Sequence, residues 1–117
     1  MADYFNKVDF DKLFPPEVAT IIEQLDKKAE NNQALVDVAI DRIEAELISI
    51  SLGTSSLIPR AVFYDREKSP FCKAMTTFQK APSLSLGFKM VAMAKQDFGE
   101  RFSKFVLEQL QTIYGSK

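Results

Sequence analysis

The sequence predicts an all-α protein, a small bundle of four or five helices with an irregular central loop or a short extended arm. Apolar residues recur at three- and four-residue spacing through most of the chain, as they do on the buried faces of helices. Proline and glycine fall mainly between these periodic segments, where turns are expected. At 117 residues, with 46% hydrophobic and 26% charged side chains, the chain fits one folded domain. We therefore expect a single helical domain over residues 1–117.

Three helices are predicted in the first half of the chain. Residues 9–14 form a short helical turn that Pro15 stops, and Pro16 then opens a second helix that ends before Asn31. The third helix, roughly residues 33–52, has the strongest periodicity, and Gly53 is a natural residue to end it. We expect this third helix to be the central one. Its apolar stripe consists of Leu35, Val36, Ala39, Ile40, Ile43, Leu47 and Ile50.

The middle of the chain is less regular. Residues 57–64 contain Pro59 and a run of β-favouring residues. An extended arm or one short strand therefore fits this sequence as well as a helix does. Ser69 followed by Pro70 predicts the start of the next helix, which runs to about Gln79. Residues 83–90 alternate polar and apolar side chains, which leaves open a hairpin with residues 60–64. The helical spacing of the larger apolar residues nevertheless favours a helix that continues through Lys95.

The last predicted helix runs from Asp97 to Tyr114 and ends at Gly115. Salt-bridge spacing links Asp97 to Arg101 and Glu100 to Lys104 along this helix. Its apolar face consists of Phe98, Phe102, Phe105, Val106, Leu110 and Ile113.

The charges are divided between the two halves of the chain. Residues 1–50 contain five Lys/Arg and eleven Asp/Glu, a formal −6, while residues 51–117 contain ten and five, a formal +5. Two such halves can neutralise one another within a molecule, bind an identical neighbour, or leave the basic half available to a polyanion. Charge alone does not choose among these three.

The residue types argue against most enzyme classes. The chain has no histidine, which removes the commonest catalytic triads, Cys-His dyads and most zinc sites. Its one cysteine, Cys72, excludes an internal disulfide. Cys72 falls in the first turn of a predicted helix, where the dipole lowers a thiol pKa, but without a histidine partner we expect a packed, inert thiol.

Sites for metals, cofactors and membranes are not expected either. Asp37, Asp41 and Glu44 share one helix face that suits a hard cation, yet no second acidic cluster completes a cage, so we interpret it as a solvated face. The four glycines form no phosphate-binding loop, and we expect no cofactor. The longest apolar run is the five residues Met90 to Ala94, too short for a membrane span. The N-terminal sequence lacks a signal peptide, which predicts a cytoplasmic protein.

A basic region lies between residues 66 and 95, which contain six Lys/Arg and a single acidic residue, Glu67. Phe71, Phe78 and Phe88 lie between the basic residues, a pattern that binds nucleic acid if the rings are exposed and leaves only a basic surface if they are core. Exposed apolar side chains near Tyr64, Phe88, Met90 and Met93 are candidates for an interface, with burial in the core as the alternative. The predicted partner-binding residues are Arg60, Tyr64, Arg66, Lys68, Lys73, Lys80, Lys89 and Lys95.

Three segments resemble the opening of small phage head–tail connector (adaptor) proteins: Asp9 to Leu13, Ala34 to Leu47, and the proline loop Leu57-Ile-Pro-Arg60. The resemblance implies a non-catalytic helical protein that assembles as a ring between portal and tail. A ring needs two different patches that meet on neighbouring copies, and an acidic half beside a basic half supplies such a pair.

We therefore expect a non-catalytic structural or interaction protein that assembles with itself, as a homo-oligomer or ring, or with a larger partner. A virion head–tail connector is the sharpest form of this hypothesis. The alternative is a small regulator or inhibitor that binds a host protein or nucleic acid through the basic C-terminal half. A third hypothesis, an enzyme with a metal on the Asp37–Glu44 face, has less support from the sequence.

Overall fold

A computed structural model describes residues 19–58 and 61–115, and these contain five helices and no strand. The all-α prediction is confirmed. The short helix expected at residues 9–14 and the helix start expected at Pro16 lie outside the described residues. The helices are α1 (Ala19–Glu30), α2 (Gln33–Leu52), α3 (Pro70–Lys80), α4 (Leu84–Phe98) and α5 (Glu100–Tyr114).

Helix α2 ends where the sequence predicts. Gly53 has a left-handed backbone, with φ of 75°, and its N–H donates to the carbonyl oxygen of Ile50 at 3.1 Å. The N–H of Thr54 donates to Ser49 at 2.9 Å, so two carbonyls of the last turn have partners. This termination turns the chain away from the helix axis and into the segment that leads to α3.

Serine caps begin α3 and α4. The Ser69 hydroxyl accepts from the N–H of Cys72 at 3.3 Å, and the Ser83 hydroxyl accepts from Leu86 at 3.1 Å. The carboxylate of Asp26 in α1 accepts from the N–H of Leu84 at 2.8 Å, which satisfies another free donor of α4. These bonds make residues 84–90 helical, so the alternative of a hairpin with residues 60–64 is wrong.

The boundary between the last two helices differs from the prediction. Helix α4 continues through Asp97 and Phe98, and α5 begins at Glu100 rather than at Asp97. Gly99 makes the corner with φ of 99° and ψ of 172°, a conformation open almost only to glycine. The apolar spacing runs across this corner because Phe98 and Phe102 pack against each other with ring centroids 5.1 Å apart.

The interruption of the helix at Gly99 also determines which of the two predicted ion pairs forms. Glu100 and Lys104 lie within one helix and approach to 3.8 Å. Asp97 and Arg101 lie on opposite sides of the corner, and no ion pair joins them. Because a periodic pattern reports only which residues face the core, it did not reveal that the helix is interrupted.

Helix α5 makes the most extensive helix contacts, with α4 and α2, and also packs on α1. It is therefore α5, and not α2 as expected, that lies at the centre. Gly87 allows α4 to approach closely, since a Cβ there would lie 3.1 Å from Leu110 of α5. Of the helices in the described part of the chain, none has the length and apolar character needed to cross a membrane.

Candidate interaction surface

An arm of five residues, Ala61–Asp65, leads into the turn before α3. It has no helix or turn, and its side chains alternate between exposed and half-buried, the pattern of an extended chain. Val62 and Tyr64 face the bundle. Phe63 faces outward and is 90% exposed.

The arm is held to the bundle at several points. The N–H of Val62 donates to Ile50 of α2 at 3.4 Å. The ring of Tyr64 packs edge-on against Phe98 of α4, with centroids 5.9 Å apart, and burial is the main cause of a raised pKa for its hydroxyl. Because both neighbours of Phe63 are anchored, its ring is presented to solvent by a positioned backbone.

A turn follows the arm and leads into α3. The carboxylate of Asp65 accepts from the N–H groups of Glu67 and Lys68 at 2.9 and 3.3 Å, while its carbonyl accepts from Ser69 at 2.7 Å. A groove of about 480 Å³ lies between the arm, this turn and the end of α4. We call it the arm groove. Its lining residues include Phe63, Lys68, Pro70, Gln96, Asp97 and Phe98.

The other side of the arm covers a small cavity between α2 and α3. Its volume is about 10 Å³, and it is lined by Tyr64, Cys72 and four neighbouring side chains. Arg66 pairs there with Glu44 of α2 at 2.7 Å. Cys72 is buried, and burial raises the pKa of its thiol although the bond with Ser69 acts in the opposite direction. Cys72 is therefore a packed thiol, as the sequence predicts.

The three carboxylates of the predicted cation face have separate partners. Asp37 accepts from the side-chain amides of Gln33 at 2.9 Å and Gln79 at 3.0 Å, and these bonds lower its pKa. Glu44 binds Arg66, and Asp41 is exposed. Within residues 19–58 and 61–115, no group of three or more acidic, histidine or cysteine side chains is arranged to hold a metal ion. Through the bond between Asp37 and Gln79, this face connects α2 to α3.

The predicted partner-binding residues occupy several places. Tyr64 and Arg66 line the small cavity, and Lys68 lines the arm groove. Lys73 and Lys80 are exposed about two turns apart on α3, and Lys89 and Lys95 are exposed on α4. Among the described residues, none of these five lysines has a carboxylate within ion-pair distance. Arg60 lies outside the described residues.

The aromatic residues of the basic region belong to the core. Phe71 and Phe78 have no exposed surface, and Phe88 is 4% exposed. Met90 is also fully buried, and Met93 is partly buried against the core. Of the two interpretations that the sequence left open for these residues, burial in the core is correct. They are not available to stack on bases.

Sequence reasoning missed Phe63, which is the most exposed aromatic side chain among residues 19–58 and 61–115. The signal was present, since alternation within Ala61–Asp65 places residues 62 and 64 on one side and residue 63 on the other. Which side faces the bundle depends on Phe98 receiving Tyr64, a contact between distant parts of the chain.

The charge division of the sequence becomes a division of the surface. Helices α1 and α2 carry seven carboxylates and three basic side chains, while α3 and α4 carry four lysines and one carboxylate. Within the described residues, a single ion pair links α2 to the second half of the chain, between Glu44 and Arg66. The exposed carboxylates of Glu23, Glu30 and Asp41 and the exposed lysines of α3 and α4 therefore remain available to other molecules.

No protein-family model, curated protein or solved structure matches this chain. The resemblance to head–tail connectors therefore stays a prediction. The functional argument depends on the geometry and the charges of the chain itself.

Proposed function

We propose that this chain is a non-catalytic structural protein that assembles with copies of itself or with a larger partner through surfaces of opposite charge. The observation that carries the proposal is the separation of acidic α1 and α2 from basic α3 and α4, with one internal ion pair between α2 and the second half among the described residues. Unpaired charge of both signs on one molecule suits contact between unlike surfaces of neighbouring copies.

The interface in this proposal is heterologous. Lys73 and Lys80 of one copy face carboxylates such as Asp41 on α2 of the next copy, and repetition closes a ring if the rotation between copies allows it. A virion head–tail connector is the sharpest form of the proposal, and it is supported by the sequence resemblance. Charge complementarity mainly sets orientation and association rate, so apolar contacts are expected to supplement it.

A small regulator that binds through the basic surface is the second candidate. The exposed lysines of α3 and α4 favour it, because they have no carboxylate partners in the described part of the chain. With Phe71, Phe78 and Phe88 buried, contact with a nucleic acid would be limited to its phosphates and strongly weakened by salt.

Light scattering behind size exclusion, at about 50 mM and about 500 mM salt, tests the leading proposal. The unmodified chain is expected to form a discrete species larger than the 13.2 kDa protomer at low salt, and this species is expected to dissociate at high salt. The double variant Lys73→Glu/Lys80→Glu should prevent it. The double variant Lys27→Glu/Arg42→Glu makes the same change in net charge at exposed positions of α1 and α2, within the acidic half, and should leave it intact.

A 13.2 kDa protomer under both conditions, alone and with an extract of candidate partners, would overturn the proposal. Equal behaviour of the two double variants would show that net charge, and not the α3 surface, controls assembly. Elution together with nucleic acid in a salt-dependent manner would favour the regulator instead.

A further inference from the structure

The backbone of the arm offers hydrogen-bonding groups to another chain. Within residues 19–58 and 61–115, neither the N–H nor the C=O of Phe63 or Tyr64 has a hydrogen-bond partner. The N–H of Val62 is used by Ile50, and the carbonyl of Asp65 is used by the following turn. Because the backbone groups of successive residues point to opposite edges of an extended chain, the open groups of Phe63 lie on the edge away from the bond between Val62 and Ile50, and that edge is a template for the addition of a second strand.

We propose that the arm pairs antiparallel with the arm of a second copy about a two-fold axis, with Phe63 opposite Phe63 of that copy. The inference deepens the proposed function and rests on it in one respect, that the chain works by assembly. It uses a different surface, because neither Lys73 nor Lys80 lines the arm groove.

The charges around the arm favour a second copy over an unlike partner. A two-fold interface requires a surface that is complementary to itself. The rim of the arm groove combines the carboxylates of Asp65 and Asp97 with the ammonium group of Lys68, around the apolar Phe63 and Pro70. The lysines of α3 and the carboxylates of α2 are instead surfaces of one sign, which repel their own copies.

Antiparallel alignment is favoured over parallel alignment for two reasons. With Phe63 at the centre, Ala61 lies opposite Asp65 of the second copy, so the two Asp65 carboxylates lie at opposite ends of the pair. A parallel alignment would place them side by side, where like charges destabilise a strand pair. The central pair of phenylalanine rings adds an aromatic contact across the strands.

Phe63 and Tyr64 both line the arm groove, so this part of the arm is open to solvent. The paired surface is nevertheless small. Five residues from each copy bury less than the roughly 1,200 Å² typical of stable complexes, so we expect a weak and reversible dimer.

Cysteine cross-linking of the full chain tests the alignment. Opposite residues in an antiparallel pair have Cα atoms about 4.5–5.5 Å apart, within disulfide reach. Phe63→Cys is therefore expected to cross-link with itself under mild oxidation, and Ala61→Cys is expected to cross-link with Asp65→Cys in a mixture. Neither of the latter two should cross-link alone, because four residues of offset separate identical positions by about 13 Å. Native Cys72 is 3% exposed and does not compete.

Sedimentation of the unmodified chain at about 500 mM salt, where the charge-dependent species is expected to dissociate, tests affinity from about 10 µM to about 1 mM and should show the mass rising toward two protomers. Phe63→Glu places two carboxylates at the centre of the pair and should abolish the increase. Thr76→Glu, an exposed position on α3, is the matched control and should preserve it. Circular dichroism establishes that each variant remains folded.

A chain that stays monomeric to the highest concentration would overturn the inference, as would a dimer that survives Phe63→Glu. Self-cross-linking of Ala61→Cys as efficient as that of Phe63→Cys would show that the alignment is wrong. A salt-sensitive oligomer that depends on Lys73 and Lys80 but not on Phe63 would leave the proposed function intact and remove only the arm dimer.

Discussion

Two aromatic regions of this protein use phenylalanine in opposite ways. At the corner between α4 and α5, the rings of Phe71, Phe98 and Phe102 meet edge to face with centroids 5.1–5.9 Å apart. On the arm, Phe63 is 90% exposed, while Tyr64 beside it packs on the same Phe98. The corner and the arm thus share the contact between Tyr64 and Phe98. The other rings of the corner pack on one another, whereas Phe63 faces solvent.

The difference teaches that residue type alone does not assign a role to an aromatic side chain. Burial of one phenylalanine is worth about 1.5–3 kcal/mol, a contribution that Phe63 does not make in the isolated chain. Because the ring of Phe63 is exposed on an anchored backbone, a binding partner can bury it. We therefore assign stability to the corner and assembly to the arm.

Truncation of one ring in each region gives the largest contrast. Phe102→Ala is expected to lower the free energy of unfolding by about 3–5 kcal/mol, because it leaves a cavity beside Phe71 and Phe98. Phe63→Ala should change it by less than about 0.5 kcal/mol. Urea denaturation followed by circular dichroism, at low protein concentration, measures both. Similar losses for the two variants would contradict the division of roles.

Two glycines with positive φ provide the next contrast: Gly99 forms the corner, and Gly53 ends α2 ahead of the arm. Gly99→Ala is expected to cost about 1–3 kcal/mol, since φ of 99° with ψ of 172° excludes other residues although there is space for a Cβ. Gly53→Ala should cost about 1–2 kcal/mol in its left-handed conformation.

Asparagine variants separate the two causes, because asparagine tolerates the left-handed region better than alanine does. Gly53→Asn should recover part of the stability lost in Gly53→Ala, as measured by the denaturation midpoint. Gly99→Asn should recover none. Recovery at both positions would show that the corner does not depend on the backbone of Gly99.

The anchor of the arm on the corner is expected to have a smaller effect. Tyr64→Ala removes the edge contact with Phe98 and should lower stability by about 1 kcal/mol. Tyr64→Phe keeps the ring and should be close to neutral. Limited proteolysis should cut the arm faster in the alanine variant only, and equal rates in both variants would show that the ring does not hold the arm.

The ion pair at the base of the arm should contribute least. Arg66→Ala is expected to cost less than about 1 kcal/mol, since the Arg66 side chain is 65% exposed and solvent screens its bond to Glu44. Thermal denaturation at two salt concentrations should show this small loss shrinking at high salt. Lys104→Ala, which breaks the more exposed pair with Glu100, is the matched control and should be neutral.

Much of the fold could be predicted because it depends on neighbours along the chain. The helix from residue 33 to 52, its end at Gly53 and the start at Ser69-Pro70 all follow from local periodicity and capping. The corner at Gly99 was missed because Phe98 and Phe102 keep helical spacing on both sides of it. The candidate site was predicted only in part, since exposure of the lysines followed from their charge but exposure of Phe63 did not.

The sequence by itself determined the helical class, the separation of charge and the residue types from which any chemistry must be built. Tertiary structure decided which apolar residues are core and which are exposed, because that depends on contacts between distant segments. Phe88 and Met90 are buried in the bundle. Tyr64 packs on Phe98, and Phe63 beside it faces solvent. Helical spacing is a local property of the chain, whereas burial is a property of the packed whole.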